Sequence, residues 1–228
     1  MRENILVLKD VHKIYGEGTP NEVHALRGVN LQISKGEMVA VMGPSGCGKT
    51  TMLNICGGLD SPTSGTIQIN GVDISTYSDG QMTTFRRDNI GYVFQLFNLF
   101  DYMSALENVM VPLLAQGFSY PEATRRATMI LREVGLGDRI YHSPPELSGG
   151  QQQRVAISRA LVTQPAIILG DEPTGDLDSV TSEDLMDMFK RINTDNRQTL
   201  IIVTHSEWIG EQCERIIRLR DGEVVEDC

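Results

Sequence analysis

The sequence predicts an α/β fold: a mainly parallel sheet, an antiparallel β subdomain near the N-terminus and an inserted α-helical subdomain. Three observations carry this. Short apolar runs of strand length alternate with stretches of helical period, the pattern of a parallel sheet crossed by helices. The strand-like runs gather towards the two ends of the chain, and the helical period fills its middle. One apolar run, Met38–Met42, stops abruptly at a glycine-rich loop, as a buried strand feeding a tight turn does.

In chain order, Ile5–Leu8, Ala25–Ile33 and Thr66–Ile69 are branched or alternating apolar stretches that read as strands. The first two are separated by the polar, turn-rich Gly16–Glu22. A helix is expected to start near Thr50. Ser119 and Glu122, with Pro121 between them, have the spacing of a capping box. Ala123, Ala127, Ile130, Leu131 and Val134 then follow at helical spacing up to a stop at Gly135. Ser148 and Gln151 form a second capping-box pattern, opening a helix that should run to about Val162. Ala166–Leu169 and Leu200–Val203 are buried-strand runs, with an amphipathic helix between them marked by Leu185, Met188, Phe189 and Ile192. Asp221-Gly222, between Ile216–Leu219 and Glu223–Val225, is a hairpin turn. The expected division is an α/β core from 1–94 and 165–228 with a helical insertion at 95–164.

Hydrophobic residues make up 40% of the 228 and charged residues 22%, ordinary for a packed globular chain. The net charge of −10 repels phosphate backbones, so no nucleic-acid partner is expected. The four cysteines show no metal-type spacing and read as free thiols. No run approaches the roughly 20 apolar residues of a membrane helix, so any membrane-spanning part is expected on another chain.

Gly43-Pro44-Ser45-Gly46-Cys47-Gly48-Lys49-Thr50 fits the phosphate-loop pattern GxxxxGK[ST] without a mismatch. Glycines let the backbone wrap an anion and turn its N–H groups inward. Lys49 supplies a cation for the β/γ-phosphates, Thr50 a hydroxyl for Mg²⁺, and the helix behind them, through Thr51, a favourable dipole. Asp171, at the end of a buried run, suits Mg²⁺ held through water; Glu172 beside it suits a general base. Together these residues point to a P-loop hydrolase acting on a polyphosphate with Mg²⁺. Cys47 sits among backbone amides at a helix start, a setting that either favours a reactive thiolate or, if the side chain points into the fold, leaves it inert.

Leu147-Ser148-Gly149-Gly150-Gln151 is a second exposed helix start with two glycines, a further anion site in a chain with one P-loop. P-loop, LSGGQ and ILGDEP in this order closely resemble the ABC ATPases, and the resemblance covers the whole chain. It implies that Tyr15 stacks on adenine. It also implies that Gln95 touches Mg²⁺ and the attacking water, that Asp178 crosses a dimer interface, and that His205 reaches the γ-phosphate. By the same resemblance, two copies bury two ATPs head to tail, each signature capping the other copy's P-loop. Integral membrane permease subunits are the implied partners, placing the chain in the cytoplasm, peripheral on the inner face of the membrane. Arg86–Leu113 and Met52–Gly65 are similar to the lipoprotein-release and macrolide-export group, implying export, lipoprotein release or mechanotransmission. A motor for a division or signalling complex would look the same. A soluble DNA-repair or translation ATPase is disfavoured, because such chains carry a long coiled coil or two cassettes. Gly170 and Asp176 depart from that group, which commonly has Ala or Leu at the first position and often Ala or Asn at the second. The apolar stretch Phe94–Tyr102 reads either as subdomain core or as a groove for a permease helix.

Overall fold

The computed structural model describes residues 3–228. In chain order the elements are β1 (Asn4–Tyr15), β2 (Val23–Ser34), β3 (Met38–Met42), α1 (Lys49–Cys56), β4 (Ser64–Ile69), β5 (Val72–Asp73) and α2 (Asp79–Asn89). There follow β6 (Ile90–Phe94), α3 (Ala105–Ala115), α4 (Tyr120–Glu133), a 3₁₀ turn (Pro144–Glu146), α5 (Gly149–Leu161) and β7 (Ile167–Asp171). The chain closes with α6 (Ser179–Asn196), β8 (Thr199–Val203), α7 (Glu207–Glu211), β9 (Arg215–Arg220) and β10 (Glu223–Asp227).

Two sheets form. One is four-stranded and antiparallel, in the order β2-β1-β4-β5. The other is six-stranded, β10-β9-β3-β8-β7-β6, parallel except for the edge strand β10. The expected mainly parallel sheet, antiparallel subdomain and helical middle are therefore all present. Strands β3 and β8 are buried at every position, which is why their sequences are continuously apolar instead of alternating.

Their side chains still alternate between two cores. Val39, Val41, Leu169 and Ile201 face a core shared with the antiparallel sheet and α1. Met38, Ile168, Leu200 and Ile202 face a second core, completed by α3, α4, α5 and α6 through Val109, Leu131, Val155 and Phe189. The helical segment thus has no separate core: it covers the back of the parallel sheet.

Local chemistry explains most element ends and some departures from expectation. The Ser148–Gln151 capping box forms in both directions and α5 ends at Leu161. Gly135, at φ 79°, closes the turn after α4. The Ser119–Glu122 box does not form: α4 has Ser119 as its N-cap without a side-chain bond. Glu122 instead accepts from Arg125 and Arg126, three and four residues on, and these two guanidinium groups hold its carboxyl well below the usual range. Two cations at (i, i+3) and (i, i+4) outcompete one backbone N–H. Strand β1 runs on past Leu8 to Tyr15 through register shifts around Asp10, a residue at φ 49°. That bulged extension carries Tyr15 towards α1.

Helix α5 lies close against β6: a Cβ on Gly91 would sit 2.6 Å from the Ala160 carbonyl oxygen. Gly91→Ala should therefore push α5 off the sheet and cost about 1–3 kcal/mol, as overpacking does. The urea midpoint should fall accordingly; an unchanged midpoint would show that the helix moves without penalty.

Candidate functional site

Between β3 and α1 the chain turns through Gly43, Gly46 and Gly48, all at positive φ. Two of these glycines are forced by neighbours as well as by angle. A Cβ on Gly43 would lie 2.2 Å from the Leu219 carbonyl oxygen, and one on Gly48 2.5 Å from that of Ala25. Gly46 has open space around it, on the exposed rim with Pro44 and Ser45. Lys49 Nζ reaches back and donates to the carbonyl oxygens of Gly43 (2.8 Å) and Pro44 (3.0 Å). The loop is thus shaped for an anion and has its cation folded across it.

Strand β7 delivers the acids. Thr50 Oγ1, on the first turn of α1, lies 3.5 Å from Asp171 Oδ1. Burial pushes the Asp171 carboxyl up from its ordinary range, and Glu172 next to it pushes the same way; Thr50 and Lys49 oppose them. Glu172 is at φ 46°. Its Oε1 lies 2.8 Å from His205 Nδ1, and its Oε2 accepts from Thr204 Oγ1 at 3.2 Å. His205 and Thr204 follow β8, so neighbouring strands present the two halves of this pair. A cleft of about 370 Å³ opens beside them, floored by Trp208 and Ile209.

The remaining expected residues fall into three places. Gln95 is the first residue beyond β6; its Nε2 donates to Asp176 Oδ1 at 3.2 Å, in the turn after Glu172. Tyr15 is 40% exposed at the end of β1, near Thr51, and its hydroxyl donates to Asp60 Oδ2 at 2.7 Å. Lys13 holds the same carboxylate at 2.6 Å and lies 4.8 Å from the Tyr15 ring centre. Ser148, Gly149, Gly150 and Gln151 begin α5. Among the described residues no hydrogen bond joins them to the loop at 43–51. Gly150 instead abuts Thr181, where a Cβ would meet the methyl carbon at 2.4 Å.

A profile of the ABC transporter family matches residues 26–175. The chain is 46% identical over 224 residues to the lipoprotein-releasing system ATP-binding protein LolD of Geobacter metallireducens, covering 98% of this chain and 99% of that one. The chain belongs to the ABC transporter family. It is also 43% identical over 227 residues to the macrolide export ATP-binding/permease protein MacB of Hyphomonas neptunium, of which it spans 35%. Its backbone matches the dimeric, post-hydrolysis ATP-binding cassette MJ0796 bound to ADP and Pi, with TM-score 0.89 at 46% identity over 98% of this chain and 97% of that one.

One expectation for this ABC cassette changes on inspection. The Cys47 thiol is turned into the fold, away from solvent. Its side chain is 3% exposed and packs under the loop, so that a Cβ on Gly43 would meet its Sγ at 2.7 Å. The backbone of Cys47 belongs to the loop; its sulfur belongs to the core. Asp178 is engaged within its own chain: it caps α6, accepting from Thr181 N at 3.0 Å and Thr181 Oγ1 at 2.7 Å, which holds its carboxyl below the usual range. Reasoning from the sequence missed several residues that place the site. Gln153, fully buried on α5, donates to the Pro173 carbonyl oxygen at 2.6 Å, while its own carbonyl oxygen has no partner among the described residues. Arg159 clamps the carbonyls of Phe97 and Asn98. Asn108, fully buried, ties down Phe100 and Met103. Their only signal was polarity on an apolar helix face.

Asp171 provides a test. Its folded pKa is raised, so its charged form weakens the fold, and that cost grows as pH rises through the folded pKa. Asp171→Asn should therefore raise the nucleotide-free urea midpoint at pH 7. A lowered midpoint without nucleotide would contradict the charge assignment.

Proposed function

We propose that this cassette is the MgATP-hydrolysing motor of a transporter whose membrane-spanning permease lies on a separate chain. On this reading it closes head to tail with a second copy around two MgATP. The observation that carries this is the division of the site. One chain assembles a phosphate loop, two acids and a histidine at one sheet edge, and displays a second glycine-rich helix start, Ser148–Gln151, that is not bonded to them. A second copy turned by a two-fold axis supplies each loop with the missing half.

Within one half, Lys49 neutralises the β- and γ-phosphates, and the Gly43–Thr51 backbone cradles them. Thr50 and Asp171 offer hard oxygen donors, and Gln95 its amide oxygen, so the donor set fits Mg²⁺, which takes its remaining ligands from phosphate and water. When bound, the ion draws charge off the phosphates. Glu172 orients and deprotonates the attacking water. An ionised Glu172 can only accept, so His205 Nδ1–H donates to it; Nε2, on the far side of the ring, bonds the γ-phosphate only when it also carries a proton. Tyr15 stacks on the base, and Asp178 holds the start of α6 at the dimer seam.

The membrane side of the proposal rests on the Gln95–Met103 loop. Leu99 packs into the second core, while Leu96 and Tyr102 are 75% and 80% exposed, with Phe100 beside them. Such an exposed apolar cluster suits a short permease helix. Among the described residues no helix is long and apolar enough to cross a membrane itself. The cassette would then sit peripherally on the inner membrane face. The relatives named above suggest substrates released or exported by force transmission.

Three substitutions test this. Lys49→Ala should lower ATP turnover at least about 100-fold, the scale of removing a charge-stabilising donor. Glu172→Gln should slow hydrolysis and, with ATP, trap a dimer visible by light scattering. Ser148→Arg added to Glu172→Gln should return it to monomer. A Glu172→Gln protein that stays monomeric at saturating ATP would refute the head-to-tail reading.

A further inference from the structure

The parallel pairing of β6 and β7 ends at Phe94 opposite Asp171, so Gln95 and Glu172 are the next residues along two adjacent strands. After Glu172 the chain turns at once, with Gly175 N donating to the Glu172 carbonyl oxygen at 2.9 Å. The Gln95 side chain lies directly on this turn. A Cβ on Gly175 would stand 3.0 Å from Gln95 Nε2 and 3.1 Å from its Cδ, tighter than ordinary contact. Asp176 then accepts from the same Nε2 at 3.2 Å.

The chemistry of this contact fixes a direction. A side-chain amide can present either its oxygen or its NH₂ to a neighbour, and the two arrangements have nearly the same shape. An ionised carboxylate accepts and cannot donate, so the NH₂ must face Asp176. The oxygen is then the end left for a cation or a water. An alanine at 176 would leave both arrangements open, and an asparagine would accept either. The aspartate also places a third negative charge near Asp171 and Glu172, where phosphate must bind; that electrostatic cost is unexplained by packing, since Asp176 is exposed.

We propose that Gly175 and Asp176 form a seat that holds Gln95 with its amide oxygen towards the metal and water, making Asp176 a positioning residue for hydrolysis in this cassette. The proposal rests on the reading of Gln95 as the residue that touches Mg²⁺ and the attacking water. Gly175 gives the amide room to lie flat on the turn, and Asp176 chooses which end points inward.

The experiment is a double-mutant cycle with a structural readout beside it. Asp176→Ala should lower kcat for MgATP about five- to tenfold, the effect of losing one charge-assisted hydrogen bond. KM for ATP should stay within about twofold, because the P-loop contacts remain. Asp176→Asn, which can donate or accept and so leaves the direction open, should recover only part of the loss. In a Gln95→Ala background, Asp176→Ala should cost nothing further. Separately, the side-chain ¹⁵NH₂ signals of Gln95, assigned by their disappearance in Gln95→Ala, should shift in Asp176→Ala. Full activity of Gln95→Ala would sink the underlying reading of Gln95, and the amide signals would still judge the seat. A slow Gln95→Ala enzyme with an additive Asp176→Ala loss, a faster Asp176→Ala enzyme, or unmoved amide signals would overturn the proposal.

Discussion

Asp171 and Glu172 are consecutive residues, both brought to the end of one buried strand, where the nearest ammonium, Lys49, is already bonded to two carbonyl oxygens. Two like charges a few ångströms apart in partly buried surroundings are unfavourable on the scale of kilocalories per mole. The environment shows it, since burial and Glu172 both push the Asp171 carboxyl up. The neighbouring groups only partly offset this: Thr50 on one side, Thr204 and His205 on the other. On the proposed reading, a divalent cation would relieve the first acid, and a polyanion drawing Lys49 outward would be matched by both. Ligand and metal would then be complementary to a strain in charge built into β7, part of which would return on loss of the γ-phosphate.

The order of the parallel strands makes this arrangement possible. Strands β3, β8, β7 and β6 are adjacent and run the same way. Each leaves the sheet at the same edge, and each gives up a site residue within two positions of its end: the loop from β3, Thr204 and His205 from β8, Asp171 and Glu172 from β7, Gln95 from β6. Sites at the carboxyl edge of such sheets follow from topology, because loops from neighbouring strands have nowhere else to converge. Both faces of these strands must be covered, and the two cores do this with different partners, a β-sheet on one face and helices on the other.

Those features explain what could be read in advance. The buried strands, the glycine loop, the acids and the Ser148 helix start were legible because each rule acts over a few residues. Three helices were not: α2, α3 and the five-residue α7, too short to show a period. In α2 only Phe85 is buried, so no apolar stripe marks it. In α3 nearly every face is apolar, and Pro112 interrupts it, so no period stands out. The direction of the Cys47 thiol depended on Leu219, far away in sequence, crowding Gly43 from behind. The role of Glu122 turned on which of several nearby donors wins, and that of Asp178 on Thr181 offering both a backbone and a hydroxyl donor. Competition among partners is decided in three dimensions, and a motif states only one of the competitors.

Helix α5 shows how far the consequences reach. Its first residues form the signature, with Gly150 against Thr181 of the segment capped by Asp178. One turn on, Gln153 holds the Pro173 carbonyl in the turn that carries Glu172 and Gly175. Near its end, Arg159 grips Phe97 and Asn98, both in the left-handed region, between Gln95 and the exposed Phe100 and Tyr102. Burial makes that guanidinium costly, pulling its pKa down, and no carboxylate pairs with it among the described residues. Its bonds to two carbonyls of strained backbone are what offset that cost. A single helix therefore touches the turn that carries Glu172, the start of α6 and the apolar loop, and it lies closely against β6 at Gly91. Movement imposed on the loop would reach the signature through α5 and the water-positioning groups through Gln153 and Gln95, two short routes that bypass the P-loop. Binding of nucleotide and force on a partner can then be separate inputs to one helix, which is the arrangement a motor requires.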